Sequence, residues 1–169
     1  MNISMYNASI PVMIKMLGNL EAMLDKAIAH AAARKIDDAA FVDARLFPDM
    51  FTFARQIRVA TDMSKGAGAR LAGIDIPKFE DNEKTLPELK ARLRKAIDFL
   101  ATLTPAQIDG TEARAITLTV GGNTLNFQGL DYLNYWVLPN FYFHVTTAYN
   151  LLRHGGVEIG KMDFLGKVA

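Results

Sequence analysis

The sequence predicts an all-α protein, an antiparallel four-helix bundle with a small β-hairpin inserted before the last helix. Three observations lead there. Four long stretches carry apolar residues at three- and four-residue steps, the spacing that lines one face of a helix. Their ends carry capping and breaking residues such as Pro48, Gly73, Thr85 and Gly155-Gly156. A single segment, around Gly121-Gly122, alternates apolar and polar residues with the period of a strand.

The first helix is expected over 9–34, with Val12, Met13, Met16, Leu17, Leu20, Met23, Leu24, Ala27, Ile28 and Ala31 on its apolar face. A start near Ser9 keeps Pro11 in the first turn, where no N–H is needed; a start at Ser4 would let Pro11 kink the helix. Asp37 and Asp38 cap a short turn through Ala44. The second helix is expected over 48–73, opening at Pro48 with Asp49 in its first turn and burying Phe53, Ala54, Ile57, Ala60, Met63 or Ser64, Ala67 and Leu71. Gly66 and Gly68 within it read as close packing against a neighbour. A polar connection over 74–84 leads to Thr85-Leu86-Pro87-Glu88, a capping box that opens the third helix. There Leu86, Leu89, Leu93, Ile97, Leu100 and Leu103 form the buried stripe, and Lys90, Arg92, Arg94 and Lys95 read as a solvated face. Thr104 and Gln107 form a second capping box. Ile116, Leu118 and Val120 answer Leu125 and Phe127 across a hairpin turn drawn from Gly121, Gly122 and Asn123. The fourth helix is expected over 131–153, and the tail over 157–169 shows no period.

The chain has 169 residues, enough to bury a core, and is read as one domain over 1–169. Its 19 basic and 18 acidic residues leave a net charge of +1, which argues against a nucleic-acid partner. The absence of cysteine excludes disulfides and thiolate chemistry. No stretch reaches the ~20 apolar residues of a membrane span, and the first residues lack an export pattern, so a cytoplasmic protein without membrane contact is expected.

The fourth helix raises the question of a site. Eight of the eleven residues from 133 to 143 are large and apolar, so the segment should be buried all round. Asn140 and His144 sit one helical turn apart in this apolar cylinder, with Trp136 and Thr147 on the same line. Pro139 cannot donate to the carbonyl of Tyr135, which leaves an acceptor free just before the polar pair. Trp136, Asn140, His144 and Thr147 therefore outline a candidate substrate pocket; the plainer alternative is a buried polar pair satisfied internally. His30 reads as a surface residue and His154 as a helix-end residue. The run Gly155 to Lys161 has phosphate-loop spacing, but Met162 replaces the required hydroxyl and the run follows a helix, so it is rejected.

Leu46-Phe47-Pro48-Asp49-Met50-Phe51, Arg55-Gln56, the run from Asn140 to Tyr149, and Leu152-Arg153-His154-Gly155-Gly156-Val157 with Gly160-Lys161 resemble an uncharacterised bacterial family of unknown function. That family is similar in turn to the DinB/YfiT-like superfamily of four-helix bundles, many of them dimers, with metal-dependent thiol transferases and hydrolases among them. The superfamily's usual site is three histidines, one early in the second helix and two a turn apart in the last. The resemblance puts His144 at the final ligand, Asn140 at the other position in that helix, and Gln56 at the second-helix position. It implies a metal set of Gln56, Asn140 and His144, with His144 also the catalytic candidate. Amide oxygens are weak donors for zinc or nickel and the set has no anion, so no cofactor is the expectation and a divalent zinc or nickel ion the alternative.

Two functions from different classes follow. One is a degenerate metal-dependent enzyme of the thiol-transferase or hydrolase type, with His144 as ligand or general base. The other is a non-catalytic bundle that binds a small molecule or serves as a structural dimer. A homodimer is expected either way, because one bundle core leaves part of the aromatic helix in water. The competing account folds the tail, with Ile159, Phe164 and Leu165, over that helix as a lid.

Overall fold

The computed structural model describes residues 3–167; Met1-Asn2 of the N-terminal segment and Val168-Ala169 of the tail lie outside the described residues. The protein is mostly helical, with one two-stranded antiparallel sheet. In chain order the elements are α1 (Met5–Arg34), α2 (Ala39–Val42), α3 (Phe53–Ala72), α4 (Leu86–Ala101), α5 (Pro105–Ile108), β1 (Ala115–Val120), β2 (Asn123–Gln128), α6 (Gly129–Asp131), a π-helical segment (Tyr132–Val137), α7 (Leu138–His154) and α8 (Lys161–Leu165). α1 packs along α4, α4 along α3, α3 along α7, and α7 returns to α1. The apolar stripes of these four helices close on one core, with Leu17, Leu20, Ile57, Leu71, Leu93 and Phe141 fully buried.

α1 begins four residues before the expected Ser9. The Ser4 side chain accepts from the Asn7 N–H as its N-cap, and the buried Ser9 hydroxyl donates to the Met5 carbonyl at 2.6 Å. Pro11 is therefore interior. It is tolerated because Pro11 and Asn7 both lie on the exposed face, where water serves the carbonyl Pro11 cannot reach.

α3 begins five residues after the expected Pro48. Pro48 occupies a turn closed by the Met50 N–H and Phe47 carbonyl at 3.0 Å, and Thr52 provides the cap by accepting from the Arg55 N–H. Arg45 staples this loop by donating to the Met50 carbonyl at 2.8 Å. Gly68 is the close approach expected of it: a Cβ there would lie 2.6 Å from Leu103 Cδ1 and 3.0 Å from Leu100 Cδ2. Both capping boxes form, at Thr85–Glu88 and Thr104–Gln107.

The charged face of α4 is not all solvated. Arg92 lies with its side chain 2% exposed. It donates to Thr61 Oγ1 at 2.8 Å, to the Glu80 carbonyl at 2.8 Å, and to Asp62, Asp81 and Glu83 at 2.9–3.0 Å. Arg58 of α3 adds a second cation to Glu83 at 2.9 Å. One guanidinium thus pins the connection over 74–84 against α3 and α4.

The hairpin pairs Val120 with Asn123, which places Gly121 and Gly122 in the turn, each at positive φ as a two-residue hairpin turn requires. Phe127 of β2 lies against Tyr132 and Trp136, with ring centroids 6.0 and 5.9 Å apart. The fourth helix, expected over 131–153, is helical without a gap over 129–154. Ahead of Pro139 the backbone widens into the π-helical segment, where the Leu138 N–H bonds to the Leu133 carbonyl five residues back. The helix is not buried all round: Tyr135 is 75% and Phe143 56% exposed. The tail does have structure, since α8 packs on α1, Phe164 meets Tyr149 edge-on, and Asn19 donates to the Phe164 carbonyl at 2.9 Å. It covers α1 and the end of α7, and leaves the Tyr135–Phe143 surface open.

Candidate functional site

Gln56 and His144, eighty-eight residues apart, meet at the packed face between α3 and α7. Gln56 lies in the first turn of α3, and the Thr52 cap sets where that turn begins. His144 falls two turns into α7, on the same side as the buried Phe141, Ala148 and Leu151. The His144 Nδ1 lies 2.7 Å from Gln56 Oε1. An amide oxygen only accepts, so Nδ1 carries the proton in this contact, and in the neutral ring Nε2 keeps the lone pair. The Gln56 orientation is itself fixed, because its Nε2 donates to the Phe51 carbonyl at 3.3 Å.

His144 is 7% exposed. Among the described residues no buried side-chain nitrogen or oxygen lacks a partner, so Nε2, which bonds no protein atom, reaches solvent. Burial disfavours the imidazolium and holds the His144 pKa below its ordinary 6.5. Phe51 stacks on the imidazole with planes 7° apart and centroids at 6.3 Å, and Phe143 stands edge-on at 5.1 Å. The result is one oriented, neutral imidazole with an open nitrogen in an aromatic collar. Such a nitrogen accepts a hydrogen bond or a proton.

The other expected residues turn elsewhere. Asn140 donates from Nδ2 to the Trp136 carbonyl at 2.6 Å, inside its own helix. Thr147 donates to the Phe143 carbonyl at 2.7 Å and is buried, while Trp136 is half-buried beneath the hairpin. Among the described residues no three His, Asp or Glu side chains converge as a metal cluster. The donor set does not fit a tightly held zinc or nickel ion: one imidazole nitrogen is open, Gln56 Oε1 is engaged by His144, and no carboxylate joins them. His30 packs edge-on to Phe41 and His154 is exposed, each away from this centre.

Residue patterns alone did not single out two of its neighbours. The Arg55 guanidinium lies 3.8 Å above the Phe51 ring, so Arg55, Phe51 and His144 share one aromatic layer. The signal for Arg55 and Phe51 was membership of the Leu46–Phe51 and Arg55-Gln56 stretches that carry the family resemblance, with no periodicity to mark them.

The chain is mostly helical with one small hairpin. It is similar to the crystal structure of a DinB family member from Shewanella denitrificans at 38% identity and a TM-score of 0.86, over 96% of this chain and 92% of that one. The model for the domain of unknown function DUF1993 matches residues 5–165, and the chain belongs to that family. No curated protein matches the chain.

Proposed function

We propose that this protein is a single-domain antiparallel four-helix bundle of the DinB/YfiT-like type, cytoplasmic, and a degenerate relative of its metal-dependent transferases and hydrolases. In this reading His144 works as a general base or hydrogen-bond acceptor toward a small molecule, without two further imidazoles around a metal. Gln56 holds it in the Nδ1–H form. The observation that carries the reading is the 2.7 Å contact between His144 Nδ1 and Gln56 Oε1, which turns the open lone pair outward. Burial supports it by keeping the ring neutral near pH 7.

The direct test is a screen for hydrolysis and thiol transfer with tag-free protein and the H144Q variant. Activity that disappears in folded H144Q, and that needs no added zinc or nickel, supports the reading. Activity that survives H144Q or depends on a stoichiometric metal contradicts it.

A second reading, a non-catalytic homodimer, rests on a separate observation. Tyr135, Tyr142 and Phe143 stay exposed along the last helix of one chain, and exposed apolar surface of this kind marks interaction sites when it is extensive.

A further inference from the structure

The first turn of α3 holds no acidic residue, and its one charge is Arg55. A cation there opposes the positive end of the helix dipole, so local stability does not explain it. Ion pairing does not explain it either, because among the described residues no carboxylate lies within salt-bridge distance of Arg55. Its guanidinium instead rests on Phe51, whose ring also stacks on His144. His144 is the second, independent pointer: it is 7% exposed, and its Nε2 has no partner among the described residues. A free planar fork that matches a carboxylate and a solvent-reached imidazole lone pair that can accept from a donor thus lie against one aromatic ring.

We infer that the His144 centre takes a small carboxylate that also carries a hydroxyl or thiol donor, with Arg55 binding the carboxylate and His144 Nε2 accepting from the donor. This rests on the reading of His144 given above. The exposed Phe143 ring beside the imidazole supplies the apolar contact for the body of such a molecule, as in ligand sites where a few polar groups set orientation. A single unpaired cation suits a monoanion. Arg55 is exposed and, among the described residues, hydrogen-bonds no other side chain, so it can swing from its resting place over Phe51 to meet the ligand. Arg55 would be a binding residue and His144 the group that meets the reactive end.

The test is an NMR titration of isotope-labelled protein with para-hydroxybenzoate and its uncharged analogue para-hydroxybenzamide. The acid should shift the His144 ring and Arg55 side-chain signals saturably, and the amide should bind about tenfold or more weakly, the scale of a charge-assisted contact. R55Q should weaken the acid by a similar factor and leave the amide unchanged, with R55K restoring part of the loss. Equal binding of acid and amide, unchanged acid affinity in R55Q, or no His144 response to either probe would overturn the inference. The same spectra report the His144 tautomer before any ligand is added. An Nδ1–H ring without binding removes this inference alone, whereas an Nε2–H ring removes the reading beneath it as well.

Discussion

At the residue scale, Gln56 and His144 depend on one another. Replacing Gln56 with leucine leaves the buried Nδ1–H without its acceptor and should cost about 1–3 kcal/mol of stability by urea denaturation. Gln56→Glu keeps the shape but sets a carboxylate beside Nδ1–H, which favours the imidazolium. The His144 pKa should then rise above its wild-type value in a proton NMR titration; an unchanged or lower pKa would mean the two side chains do not meet. Wild-type His144 has its folded-state pKa depressed below 6.5 by burial. Its contribution to stability is therefore complete above pH 6.5 and is lost as pH falls through the depressed value. H144Q lacks that component, so the stability gap between wild type and H144Q should shift against the wild type on acidification. A gap independent of pH would mean the ring is not buried in its neutral form.

At the element scale, the sequence is most legible where one physical signal acts alone. The α4 stripe and both capping boxes follow from spacing and cap chemistry, and their starts fall where expected. Element starts were missed where two signals competed: Pro11 argued for a late α1, and the stronger Ser4 cap won because the solvent face absorbs the proline. Pro48 likewise resembled a helix opening, but the Thr52 side chain took that role. Arg92 shows a different limit. Its position in a charged run marks it as surface, and only the fold of 74–84 over α4 brings Glu80, Asp81 and Glu83 around it. Burial pushes the Glu83 carboxyl pKa up, but hydrogen bonds from Arg92, its own backbone and Arg58 outweigh this and hold it below the ordinary value. R92A should cost about 1–3 kcal/mol by removing the buried donor of Thr61, the Glu80 carbonyl and half-buried Glu83, and R92K should recover only part of it. A loss below about 1 kcal/mol would place the network among ordinary surface ion pairs. Gly68→Ala, which drives a methyl into Leu103 and Leu100, should destabilise by about 1–3 kcal/mol despite the better helix propensity of alanine.

At the scale of the whole molecule, the ring of long helices was readable from period and caps, whereas the centre was readable only in outline. Spacing placed Asn140 and His144 on one line, but the Asn140 amide turns back to the Trp136 carbonyl of its own helix, and only α3 packing on α7 brings Gln56 to the ring. The tail packs on α1 and leaves Tyr135 and Phe143 exposed, so the proposed homodimer buries that aromatic surface. Light scattering at micromolar concentration should give twice the 18.7 kDa chain mass, and a mass of one chain would reject the dimer. The central claim, that the fold presents one pre-oriented neutral imidazole, is tested most directly by long-range nitrogen–proton NMR of the His144 ring above pH 7. The account predicts a protonated Nδ1 and a bare Nε2. A ring protonated at Nε2 in the wild type would contradict it.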